Sequence, residues 1–73
     1  MKRWIMQQAW PGRKCWFGIL FRDYVRAIGA DMCPHRVRQV GDEFTKAVWE
    51  LWEEKRISVI ARHPVEGAIF VRV

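Results

Sequence analysis

Cysteine is scarce in this chain. Cys15 and Cys33 stand far apart with no Cys-x-x-Cys, whereas a secreted domain this small usually carries about four or more, so a reducing, cytoplasmic setting with both thiols free is expected. Cys15, Cys33, His35 and His63 are the only soft donors, Cys33-Pro34-His35 is a poor chelate pair, and the spacing fits no common zinc module. Buried thiols and surface imidazoles account for the same residues, and no metal or other cofactor is expected. There is no Ser-His-Asp set, no glycine-rich phosphate loop and no His-Glu-x-x-His, which argues against an enzyme. Apolar runs are only a few residues long, so no segment is expected to cross a membrane, and Met1–Gln8 lacks the apolar stretch of a signal peptide. Repeats, low-complexity tracts and linkers are absent as well.

What is present is apolar and basic. The 73 residues are 51% hydrophobic, with five Trp, four Phe and one Tyr, and read as one folded domain over residues 1–73. A chain of this size buries only about 60% of the surface it exposes when unfolded, so the core is thin and the aromatics must supply much of it. The net charge of +5 is uneven. Residues 1–38 carry eight Lys and Arg against Asp23 and Asp31, a net +6, while residues 39–73 come to −1. A basic half of this kind concentrates polyanions around it, or simply keeps a Trp-rich chain in solution.

The spacing predicts a helix over Lys14–Ile28, with Phe17, Leu20, Phe21, Tyr24 and Ile28 at intervals of three and four. Pro11-Gly12 precedes it, and Gly29 stands where a helix-ending glycine belongs. Lys2–Trp10 reads as a short strand or extended arm, because Trp4, Met6 and Trp10 fall on one face at strand spacing. Asp31 or Cys33 is the expected cap of the next helix, with Pro34 in its first turn. Apolar spacing then continues to Leu51 through Gly41. A break at Gly41-Asp42 is expected, since an interior glycine costs ~1 kcal/mol relative to Ala, and Asp42 can cap a second piece. Ile57–Arg62 and Ala68–Val73 flank a Gly-containing loop and predict a hairpin. The expected class is α+β: two to three helices, then a C-terminal β-hairpin, with room for a short N-terminal strand.

Leu51-Trp52-Glu53-Glu54-Lys55-Arg56-Ile57-Ser58-Val59, followed by a turn at Arg62–Gly67, resembles the end of the third helix and the wing of winged helix-turn-helix regulators. Lys55 stands where that family usually has glycine. The resemblance implies a small winged-helix-like, DNA-binding transcription regulator of the kind carried by phages and mobile elements. Its phosphate contacts would come from Arg13, Lys14, Arg36, Arg38, Lys46, Arg62 and His63. Asp42–Arg56, as the helix entering a groove, carries Asp42, Glu43, Glu50, Glu53 and Glu54 against Lys46, Lys55 and Arg56, and its acidic leading end would repel phosphate.

That repulsion keeps a second reading open: a protein-binding module or inhibitor, or a homodimer. With Phe44, Val48 and Leu51 facing inward, Thr45, Trp49 and Arg56 face outward and form the candidate protein interface. The competing placement, slightly preferred, puts Trp49 beneath the N-terminal segment, where Trp4 and Trp10 need partners. Trp4, Trp10 and Trp16, interleaved with Lys2, Arg3, Arg13 and Lys14, have the composition of a base-stacking surface, but are expected to be core first.

Overall fold

Cys33-Pro34 opens the longest element of the chain. The computed structural model describes residues Met1–Val73 and contains α1 (Lys2–Gln8), β1 (Cys15–Trp16), α2 (Phe17–Ala27), α3 (Pro34–Glu53), β2 (Ile57–His63) and β3 (Gly67–Arg72). The strands form one antiparallel sheet in the order β1-β3-β2, which leaves β2 at an open edge. The class is α+β, three helices preceding a C-terminal hairpin, as the sequence implies.

Two local expectations are overturned. Lys2–Gln8 is a helix, not a strand or arm, because what it buries is Ile5 and Met6, joined by Ala9 just beyond its end. That is helical spacing, and the alternation of Trp4 and Met6 mimicked a strand. The short strand lies instead at Cys15–Trp16, so α2 begins at Phe17 rather than Lys14. Nor does Gly41 break α3. Phe21 packs over it, with Cζ 3.5 Å from where a β-carbon would sit. Val40, Phe44, Ala47, Val48 and Leu51 are buried on either side of the glycine, and their packing outweighs its ~1 kcal/mol propensity cost. Asp42 is therefore a mid-helix surface residue, while Cys33 is the N-cap and Pro34 opens the helix as expected.

Phe44 sits at the centre. It is fully buried, and the rings of Phe17, Phe21 and Tyr24 from α2 lie 5.4, 5.4 and 5.7 Å from its own. Ile5, Met6, Ala9, Leu51, Ile57 and Phe70 close the main core, and Val25, Ala30 and Val40 form a smaller cluster beside it. Trp4 covers this core from α1, its ring 5.0 Å from that of Tyr24.

Helices α2 and α3 end alike, with different residues. After α2, Gly29 at φ 71° donates its amide to Arg26, and the Ala30 amide reaches Val25. After α3, the same pair of bonds runs from Lys55 to Trp52 and from Arg56 to Leu51, with Lys55 itself at φ 61°. This motif favours glycine because a β-carbon in the left-handed region costs roughly 1–2 kcal/mol. Lys55→Gly relieves that strain and offsets part of the gain through its freer unfolded chain. Its melting temperature is expected to rise by about 2–6 °C in a thermal melt; an unchanged or lower value would contradict the strain assignment.

The hairpin carries one irregularity that matters later. Val59 pairs with Phe70 and Ala61 with Ile69, so Ile60 is an extra residue. The bulge shifts the alternation by one. Arg62, opposite Ala68, thereby comes onto the same face as Val59 and Phe70, toward α3, and His63 goes to the other face.

Candidate functional site

Arg62 and Thr45 meet at a groove between α3 and the hairpin, about 370 Å³ in volume and lined also by Phe17, Val48, Trp49, Trp52, Val59 and Ala68. Trp49 is 58% exposed and Trp52 45% exposed, with their rings 5.1 Å apart. The placement of Trp49 beneath the N-terminal segment is thus corrected: Trp4 finds Tyr24 instead, and Trp49 finds Trp52 on the surface. Trp52 is absent from the expected interface, although its spacing of three from Trp49 on a helix places the two side by side. At ~25 cal/mol per Å² and ~100 Å² left in water, each ring forgoes about 2–3 kcal/mol of burial. A second, larger depression of about 600 Å³ lies on the other flank of Trp52, lined by Glu53, Lys55, Ile57, Ser58 and Val73. It holds an acid and a base, whereas Arg62 is the only charged residue lining the Trp49 groove.

The other candidates are dispersed. Arg36, Arg38 and Lys46 are exposed on α3. Arg13 is committed locally, its guanidinium 4.2 Å from the Trp10 ring centroid and donating to the Gln8 carbonyl at 2.9 Å. With Lys14 it lines a separate depression that includes Asp23. His63 accepts the Val65 and Glu66 amides on Nδ1, at 3.1 and 3.0 Å, and so organises the hairpin turn. Arg56, expected beside Trp49, instead joins Arg3, Arg72, Met6 and Gln7 around a shallow depression where α1 meets the sheet. Sequence spacing gives no sign of that grouping, which three separate elements assemble.

The acids of α3 are partly neutralised. Lys2 Nζ lies 2.7 Å from Glu50 and 2.8 Å from Glu54. These contacts hold the Glu50 carboxyl below, and the Lys2 amine above, their ordinary values. The Glu50 contribution is present above the usual carboxylate range and fades as pH falls; the Lys2 contribution fades only as pH rises past the usual amine range.

The hairpin tip is fastened to α2. The Gly18 amide donates to the Glu66 carbonyl at 2.8 Å, and Arg22 Nη2 donates to both Glu66 carboxylate oxygens at 2.8 and 2.9 Å. Both cysteines are free. Cys15 is buried, and burial pushes its thiol above the ordinary value, whereas Cys33 is exposed at the head of α3. No three His, Cys, Asp or Glu side chains gather as metal ligands, and no helix is long and apolar enough to cross a membrane. No family model matches the chain, and no curated protein or solved structure matches it significantly.

Proposed function

We propose that the protein is a small winged-helix-like nucleic-acid-binding domain, engaging phosphates through the leading half of α3 and the Arg62 flank of the hairpin. The observation that carries this reading is the unbroken α3. A helix starting at Asp42 would present Asp42 and Glu43 to phosphate, but the helix starts at Pro34, with no acid in its first turn and with exposed His35, Arg36 and Arg38 near its head. The helix dipole adds a partial positive charge at the same end. Farther along, Glu50 and Glu54 are held by Lys2, which lowers their repulsion. The element order, with β1 ahead of α2 and the hairpin last, supports the winged-helix part of the reading.

Phosphate-driven binding weakens steeply with salt, because each phosphate neutralised releases condensed counterions. Fluorescence anisotropy with a random-sequence duplex is expected to give a log–log slope near −0.9 per phosphate contacted. Arg36→Ala/Arg38→Ala should flatten that slope by about two contacts. Absence of binding at ~50 mM salt to both duplex and single-stranded probes would defeat the proposal.

A further inference from the structure

We infer that the groove between α3 and the hairpin is a stacking platform for unpaired bases, which makes single-stranded nucleic acid the substrate class. The inference rests on the nucleic-acid reading and deepens it. Trp49 and Trp52 form a half-exposed aromatic pair, and Phe17, Val48, Val59 and Ala68 give the groove apolar walls. Arg62 is its one charged lining residue, brought there by the bulge at Ile60. Neither Arg62 nor Arg38 has an ion-pair partner within 4.0 Å, in contrast to Lys2, Arg22 and Arg56. Exposed aromatics beside an unpaired guanidinium are what a single strand requires: faces for its bases and charge for its backbone. The charge of the groove therefore matches a polyanion.

Two features disfavour a duplex at the same place. The hairpin tip is held against α2 by Gly18 and Arg22 rather than extending as a free wing. Asp42 and Glu53 stand exposed on α3, where a duplex backbone passing along the whole helix would meet them. A strand held in the groove needs only the aromatic pair and Arg62, and neither acid lines it.

The test compares a fluorescein-labelled single-stranded thymidine oligomer of about 12 nucleotides, within the usual span of one small domain, with a random duplex of equal length. The single strand is expected to bind at least as tightly as the duplex and to quench Trp fluorescence. Trp49→Ala and Trp52→Ala should each lower single-strand affinity about tenfold, the effect of losing one stacked base. Ile19→Ala, which trims an exposed apolar side chain on α2 away from the groove, should leave that affinity unchanged. Circular dichroism confirms that each variant is folded before it is scored. Unchanged single-strand affinity in both groove variants, with duplex binding intact, would overturn the platform while sparing the nucleic-acid reading. Loss of all binding, duplex and single strand, in the unmodified protein would remove both. Sedimentation showing a dimer that Trp49→Ala dissociates would assign the groove to a second copy of the chain and overturn the platform as well.

Discussion

Phe44→Ala is expected to remove about half of the protein's stability. The ring is fully buried and touches three other aromatic rings, all from α2, so its removal opens a cavity in the centre of the α2–α3 contact. Burying such a ring and then deleting it costs ~3–5 kcal/mol, against a total stability of roughly 4–11 kcal/mol for a chain of this length. The neighbouring rings cannot collapse inward, because Phe21 already packs on Gly41 and Tyr24 already carries Trp4. Urea titration followed by circular dichroism measures the loss. A midpoint close to that of the unmodified protein would mean that the core is held elsewhere.

The second large effect is expected at Gly18, where hairpin and helix come closest. A β-carbon there would lie 2.6 Å from Glu66 Oε2, 3.2 Å from Glu66 Cα and 3.3 Å from the Glu66 carbonyl oxygen. The carboxylate could swing aside at the expense of Arg22, but the backbone atoms are fixed by the Gly18–Glu66 hydrogen bond. Gly18→Val adds two further methyl groups against that backbone and should cost ~1–3 kcal/mol, the range for overpacking a closed contact. The exposed pair broken alone, as in Arg22→Ala, should cost under ~1 kcal/mol. Amide exchange at Gly67 and Ala68 separates the two variants, rising in Gly18→Val and staying near that of the unmodified protein in Arg22→Ala. Equal protection in all three proteins would show that the tip is not held through Gly18.

The elements with dense apolar spacing were legible in the sequence, and those that depend on distant partners were not. Helix α2, the Cys33-Pro34 entry to α3 and the hairpin follow from local pattern, because each carries its own punctuation in Gly29, Pro34 and the Gly67 turn. Helix α1 has no capping side chain and only seven residues. Its form is decided by what Ile5, Met6 and Ala9 bury against rather than by propensity. The continuity of α3 likewise rests on Phe21, a residue from another helix, covering Gly41. For the site, helical spacing turns Trp49 outward, as the structure has it, and the preferred placement beneath the N-terminal segment was the error. The company it keeps depended on the bulge: were Ile60 paired in a regular ladder, Arg62 would face away from the groove, and no periodicity in the sequence marks a bulge.

The open edge of β2 has its own consequence. Strand β2 runs from Ile57 to His63 along the border of the sheet, and Val59 and Ile60 are 40% and 49% exposed on it. A β-branched border with unpaired amides and carbonyls is a template for self-association into fibrils. The bulge at Ile60 interrupts the regular ladder such stacking needs, and Arg62 supplies the only formal charge along the strand. The displacement that turns Arg62 toward α3 thus also protects the protein's colloidal behaviour. Deleting Ile60 would keep Arg62 on its present face yet restore a regular ladder, so the border of this sheet is guarded against stacking by its own imperfection.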